Sequence, residues 1–514
     1  MAIDTLTCSA EMPAPASIKT WLGLAVLALP TVLLGLDMTL LYLALPALAE
    51  DLQPTSTQTL WIMDIYGFMI AGFLITMGAL GDRIGRRKLL LIGGIAFAAA
   101  SVLAAYSTSP EMLIFARAIL GVAGATLMPS TLALISNMFA VPSQRSLAIG
   151  FWATMFALGM AAGPLVGGLL LERFWWGSAF LVALPVVGIL LVAGPLLLPE
   201  YRDPARGRFD LFSVALSLLG ILPGIYALKE AAKHGIDVAT ILAAIASILF
   251  AVAFVRRQLS LREPLLDIRL FANRSFSAAL VILLLSLVGV SGAMLLVTQY
   301  LQLVSGFPPL IAGIWMGPPA LTMFLAGIVA PLVARRVKPG LVVGAAIALS
   351  ALGYVMMTMV APTGSVGLLL AGFSLVYLGL GVIAALGTDL VVGAAPPAKA
   401  GAASAMSEMV QELGAALGVA IIGSIATFIY GRDLASTLSA DLDPSQLDAV
   451  TEGLSTAIAL QESLPASVIE QARAAFVSGL NGAATVAAIL ATALVILSIV
   501  SLRHVGASAA DDPN

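Results

Sequence analysis

Six ionisable residues stand inside otherwise apolar runs of this sequence: Asp37, Asp64, Arg117, Asp389, Glu408 and Glu412. Charge in hydrocarbon is costly, so such residues face a polar cavity or pair with one another. Arg117 demands a carboxylate, and Asp37 either supplies it or stays free to carry protons. Glu408 and Glu412, four apart, share one face of a helix. Together with Asp64 they outnumber the available cation. A carboxylate withdrawn from water and left without a partner can hold a proton near neutral pH. In its charged form it suits a hydrophobic cation. The chemistry on offer is therefore binding and exchange, proton against cation. Asp389 has a plainer alternative, since it lies near a helix end and can reach the water interface.

These residues need helices to carry them across a bilayer. Of the 514 residues, 60% are hydrophobic and 10% charged, with mean hydropathy +1.04. Soluble domains carry about 25% charged residues, so the composition is that of a polytopic membrane protein. Apolar runs near 20 residues long predict fourteen spans, among them 20–43, 60–80, 111–134, 147–171, 401–430 and 479–502. The first run is too long for a signal peptide and reads as the first span.

Basic residues orient the chain. Only Arg173, Lys229, Lys233, Arg432 and Arg473 fall in the outer loops, and Arg117 lies in a span. The other nineteen of the 25 Lys and Arg fall on one side. That side is cytoplasmic by the positive-inside rule, and both termini are expected there.

The predicted organisation is an all-α membrane protein. It has a cytoplasmic tail (1–19), a six-helix bundle (20–198), two inserted helices with their flanking loops (199–274), a second six-helix bundle (275–502) and a short tail (503–514). The outer segment 431–478 carries seven acids against two arginines. It reads as a solvated hairpin, with a lid or a partner-docking element as the alternative. Measured from the apolar edges, Asp37, Asp64 and Arg117 share the outer half, and Glu412 lies near mid-membrane.

The stretch Trp61 to Lys88 combines a span bearing Asp64 with a basic, glycine-rich turn, Gly78-x-Leu80-x-Asp82-Arg83-x-Gly85-Arg86-Arg87. Gly159, Gly163 and Gly167, with Pro164 and Gly168, place small residues on one stripe, for close packing or for a sliding interface. Tyr66, Trp152, Phe156, Tyr300 and Trp315 are candidates to stack on a cation, with ordinary packing or interface anchoring as the alternative. The only cysteine, Cys8, allows no internal disulfide. No phosphate-binding Gly-x-x-x-x-Gly-Lys-Ser/Thr loop and no His-Glu-x-x-His occur, and His234 and His504 lie near helix ends. Neither an enzyme nor a nucleotide-driven pump is expected, nor any cofactor, metal or nucleic acid.

The loop motif, Leu36-Asp37-x-Thr39 through Ala44-Leu45-Pro46, Leu113-x-x-x-Arg117-x-x-x-Gly121 and the Gly159 to Gly168 stripe together resemble the major facilitator superfamily, in its fourteen-helix drug:proton antiporter branch. The resemblance runs from Trp21 to Arg503. Leu60 to Tyr66, Leu266-Asp267-Ile268-Arg269-Leu270-Phe271 and Glu408 to Gly414 are similar, more narrowly, to quaternary-ammonium efflux pumps of the QacA, SmvA and LfrA type.

The resemblance implies a monomeric exporter in the bacterial cytoplasmic membrane that exchanges lipophilic cations for protons through Asp37, Asp64, Glu408 and Glu412. Export of a neutral or endogenous solute (a siderophore, an antibiotic or a lipid) is the alternative. It further implies that Asp82 and its arginines lock the cytoplasmic side in the outward-open state, with Arg145 as a candidate partner, that Arg117 couples protonation to release, and that the fifth-helix glycines let the bundles rock. The second half repeats the loop motif only at Val333 to Lys338, without an acid, so the lock is expected to be asymmetric. The tenth span has Pro318, Pro319, Thr322 and Met323 at its middle and no carboxylate, which predicts a preference for monovalent cations.

Overall fold

In lipid every backbone donor and acceptor must be satisfied internally, which leaves helices as the solution for these apolar runs. The computed structural model describes residues 16–202, 210–261, 264, 266, 268–334, 336–394, 400–438 and 442–502. Cys8, Arg206, Arg208, Arg262, Asp267, Arg335, Lys399, Arg503 and His504 lie outside the described residues, as do most of the N-terminal tail and all of 503–514.

The first half contains α1 (Ile18–Leu52), α2 (Ser56–Ile84), α3 (Arg86–Ala105), α4 (Pro110–Met138), α5 (Pro142–Arg173) and α6 (Ser178–Leu197). Two inserted helices follow, α7 (Leu211–His234) and α8 (Val238–Ser260). The second half contains α9 (Arg274–Val304), α10 (Pro309–Ala334), α11 (Pro339–Met357), α12 (Val366–Gly393) and α13 (Ala400–Thr437). Two short outer helices, α14 (Pro444–Glu452) and α15 (Leu454–Ala459), precede the last span, α16 (Ala466–Leu502).

Thirteen of these helices are long and apolar enough to cross a membrane. A fourteenth span is α2, bent by 50° between Ser56–Leu74 and Thr76–Ile84. The expected fourteen spans are present, and the described residues form no strand.

Local signals set the ends. Ser17 caps α1 by accepting from the Thr20 N–H, Thr55 and Gln58 close a reciprocal capping box on α2, and Ser109 before Pro110 starts α4. Several helices outrun their apolar cores, because helical hydrogen bonding continues through flanking polar residues. Thus α1 extends to Leu52 and α16 starts at Ala466 rather than near 479. Asp37 therefore lies 15 residues from the outer end of α1, about 22 Å along its axis and near mid-helix.

The two halves repeat one packing scheme. In the first, α1 packs on α5, α2 on α4, and α3 on α4 and α6. In the second, α9 packs on α13, α10 on α12, and α11 on α12 and α16. Even a hydroxyl contact recurs: Thr39 of α1 donates to the Met160 carbonyl of α5 at 3.0 Å, and Ser291 of α9 donates to the Ala415 carbonyl of α13 at 2.7 Å. Repeats of this kind, related about the membrane normal, are a transporter architecture.

The halves meet where α2 faces α13 and α5 faces α10. Gly67 lies against Ala416, Leu60 against Gly423, and Gly168 and Pro164 against Leu310 and Gly313. Gln302 donates across the seam to the Leu43 carbonyl at 3.2 Å. These contacts lie from mid-helix to the outer ends and close the seam on its outer side.

The inserted pair is docked through α7, whose Ile225 forms a small core with Phe68 of α2 and Ala416 and Ala420 of α13. Along α8 only Thr240 and Gln258 are buried, and its leucines and isoleucines face lipid.

Candidate functional site

The centre of the molecule is built on Arg117, which is 2% exposed on α4. Gly121, one turn on, has no Cβ to strike the Tyr66 carbonyl, and this lets α4 lie close against α2. Arg117 consequently reaches three partners. Its Nη1 pairs with Asp37 Oδ2 at 2.9 Å, its Nε donates to the Ile62 carbonyl at 3.2 Å, and its guanidinium lies 4.4 Å from the centre of the Tyr66 ring. Phe180 of α6 stands farther off, at 5.9 Å. A planar, always charged guanidinium suits this mixture of carboxylate, carbonyl and aromatic face.

Carboxylates surround that core. Asp64 is fully buried on α2, two residues beyond Ile62. Tyr42 of α1 stands within reach of the charges of Asp64 and Arg117. Across the seam, Glu412 of α13 is 5% exposed, and its Oε2 is buried with no hydrogen-bond partner among the described residues. Glu408, one turn nearer the cytoplasm, is half-buried. Glu412 lies close enough to feel both Glu408 and Asp37, and Tyr66 feels Asp37, Glu412 and Arg117 together. Acids from α1, α2 and α13 thus gather around one arginine and one tyrosine. Asp389 stands apart, exposed near the inner end of α12.

Of the five candidate aromatics, Tyr66 belongs to this cluster. Trp152 is buried in the first bundle, donating to Thr131 Oγ1 at 3.0 Å, and Phe156 packs beside it on α5. Tyr300 donates to the Ala361 carbonyl at 2.8 Å in a π-turn that ends α9. Trp315 is 43% exposed and stacks on Phe307. Two buried tyrosines were not singled out from the sequence: Tyr42, which feels Asp64 and Arg117, and Tyr377, which packs beyond it. Tyr42 falls within the first-helix motif, and Tyr377 of α12 donates to Met294 Sδ at 3.2 Å.

At the cytoplasmic end, the basic turn is held inside its own bundle. Gly85 has φ +115°, a conformation that breaks α2 from α3, and a side chain there would meet the Glu200 carboxylate. Gly78 lies beside Pro129 of α4. Asp82 accepts from Arg86 Nε at 2.7 Å and pairs with its Nη2 at 2.5 Å, while Arg86 Nη1 donates to the Pro129 carbonyl at 3.4 Å. Arg87 binds Glu200 and the Leu198 carbonyl, and Arg83 is exposed. Arg145, expected opposite Asp82, instead donates to the Phe139 and Ala140 carbonyls at 3.0 and 3.2 Å.

The α5 stripe divides between two duties. Gly159, Gly163 and Gly167 face Val32 to Leu40 of α1, within one bundle, whereas Pro164 and Gly168 face α10 across the seam. The second half has its own seam of this kind, Gly414 and Gly418 against Leu284 to Ser291 of α9. Their four-residue spacing was the available signal.

Comparison with known proteins agrees with this architecture. Residues 27–419 match the Major Facilitator Superfamily. The multidrug efflux pump LfrA of Mycolicibacterium smegmatis is 43% identical over 490 residues, covering 95% of this chain and 97% of that protein. The methyl viologen resistance protein SmvA of Salmonella typhimurium is 34% identical over 479 residues, covering 89% and 93%. Among solved structures, a bacterial homologue of the human lysosomal transporter Spinster, inward-facing and unoccupied, superposes with TM-score 0.65 at 15% identity, covering 95% of this chain and 98% of that one. The chain belongs to the Major Facilitator Superfamily, in the drug-efflux group with LfrA and SmvA, as a multi-pass protein of the bacterial inner membrane.

Proposed function

We propose that the protein is a monomeric antiporter that exports lipophilic, mainly monovalent cations in exchange for protons. The observation that carries this reading is Glu412, a buried carboxylate whose Oε2 has no partner among the described residues. The nearby Arg117 is already engaged by Asp37, so it does not neutralise Glu412. Two species can: a proton or an organic cation. In the inward-facing state a cation from the cytoplasm reaches Glu412 and Glu408 and displaces their protons. Once the bundles rock, protons from outside return to the acids and release the cation. Asp64 is the further proton carrier, and Asp37 takes part when its pair with Arg117 opens. Tyr66 supplies an aromatic face beside the charges. SmvA's name, methyl viologen resistance protein, supports organic cations as the class, although methyl viologen carries two charges and so does not support the monovalent preference. Exchange of one monovalent cation for two protons would move one net charge, worth about 2.3 kcal/mol per 100 mV.

The test is ethidium efflux with simultaneous recording of proton movement in energised vesicles, comparing wild type with Asp37→Asn, Asp64→Asn, Glu408→Gln and Glu412→Gln. The reading requires export that depends on the proton gradient and is abolished by Glu412→Gln. A wild type that neither moves nor binds ethidium would give the neutral-solute reading its place.

A further inference from the structure

The outer segment does more than join α13 to α16. Tyr430, near the outer end of α13, donates to the Val450 carbonyl at 2.7 Å and fastens α14 to the second bundle. Val450, Leu454 and Ala457 are buried, so α14 and α15 are packed down as a roof rather than extended into water. The last residue of α14, Glu452, reaches across the seam to the first residue of α2. Its carboxylate accepts from the Ser56 backbone N–H and, at 3.2 Å, from Ser56 Oγ. An acid suits that position, because the first N–H groups of a helix lack internal partners and carry partial positive charge. Beneath the roof lies a cavity of about 80 Å³, walled by Thr59 and Leu60 of α2 and by Gln299, Thr427 and Phe476 of the second half. It is too small for a drug, and it occupies the seam that must part if cargo is to leave outward.

We propose that Glu452 is the latch of the outer exit: its bond to Ser56 holds the roof shut while the site faces the cytoplasm, and each export cycle breaks it. The carboxylate belongs to a segment tied to the second bundle, and its seat belongs to the first. Parting of the bundles on the outer side therefore pulls the two ends of this bond apart. Glu452 acts through its bond to Ser56, at the outer end of the seam, by positioning the roof. The inference rests on the export reading for the direction of release.

The experiment uses the full-length protein with Cys8→Ser and a reporter, Thr427→Cys, in the cavity wall. A membrane-impermeant maleimide is added outside. Glu452→Ala is expected to speed labelling on the order of tenfold, the population change that follows from losing a charge-assisted hydrogen bond. Glu452→Gln, which keeps an acceptor oxygen at the same reach, is expected to recover part of the protection. In a second arm, Ser56→Cys with Glu452→Cys is bridged by a reducible bis-thiol reagent. Bridging should stop ethidium export, and reduction should restore it, which separates a latch from a folding defect. Unchanged labelling in Glu452→Ala, or full export with the bridge in place, would overturn the latch. If the parent moves no ethidium, the cation reading fails while the labelling arm still decides the latch.

Discussion

Replacing Asp37 by Asn would leave the Arg117 guanidinium, 3% exposed, without the carboxylate it meets at 2.9 Å. Breaking a buried pair from one side costs about 3–5 kcal/mol, most of it the penalty of the charge left behind. Arg117→Gln leaves Asp37, 12% exposed, in the same position, and also removes the bond to the Ile62 carbonyl and the contact with Tyr66. A desolvated cation–π contact adds about 2 kcal/mol, so Arg117→Gln should be the more damaging single change. The double variant Asp37→Asn/Arg117→Gln strands no charge. It should therefore be more stable than Arg117→Gln alone, with an interaction term near the upper end for touching residues, about 3 kcal/mol. Thermal unfolding of the four proteins in one detergent closes the cycle. The reasoning fails if the double variant loses the sum of the two single losses, because Asp37 and Arg117 would then be acting independently.

Three further outcomes follow from the packing and charges described. Gly163→Val would drive a side chain into Thr39 and the Leu36 carbonyl, and overpacking of that kind costs about 1–3 kcal/mol before the Thr39–Met160 bond is counted. Gly150→Ala on the same helix meets nothing within 4 Å and should be tolerated, a contrast readable as the monodisperse fraction after heating. Asp210 caps α7 outside the span. Partial burial pushes its carboxyl up, but hydrogen bonds from Arg257 and Ser213 outweigh this and hold it below the ordinary 3.8. A lowered folded-state value stabilises the protein above the unfolded-state value and is lost as pH falls through the folded one. The thermal midpoints of wild type and Asp210→Asn should therefore differ at neutral pH and converge below about pH 4. Finally, Thr322 at the middle of α10 spends its hydroxyl on the Pro319 and Ser374 carbonyls, and α10 itself carries no carboxylate. Cells carrying the protein should gain more resistance to a mono-cation than to its bis-cation analogue, and the reverse ratio of inhibitory concentrations would refute the preference.

The parts of this architecture that were legible from the sequence are those governed by cost. An arginine in lipid must find an acid, so an Asp37–Arg117 pair could be named as one outcome before the helices were placed. Span number followed from apolar length. The rest depended on which way each helix is turned. Lipid tails are as apolar as leucine, so the pattern along α1 or α5 does not separate a face toward lipid from a face toward a neighbour. That is why Gly159, Gly163 and Gly167 could not be assigned to α1, nor Pro164 and Gly168 to α10, from their spacing. The same ambiguity hid Tyr42 beside the charges. The docking of α7 between α2 and α13 rests on Ile225 meeting Phe68 and Ala416, contacts between segments far apart in the chain.

The distribution of charge between the bundles bears on how one site could serve two ions. The first bundle holds its central arginine against Asp37, a local pair that moves as a unit with α1 and α4. The second bundle presents Glu408 and Glu412 from α13, and Asp37, whose charge acts on Glu412, belongs to the other body. Rocking the bundles therefore changes the distance between Glu412 and Asp37 while leaving Asp37 and Arg117 together. That change of distance, in the proposed cycle, would alter how strongly the two carboxylates repel one another, and so how tightly a counter-ion is held between them. In the proposed cycle the coupling needs no dedicated relay of side chains. It needs two carboxylates on opposite sides of a moving seam, and α1 and α13 supply them.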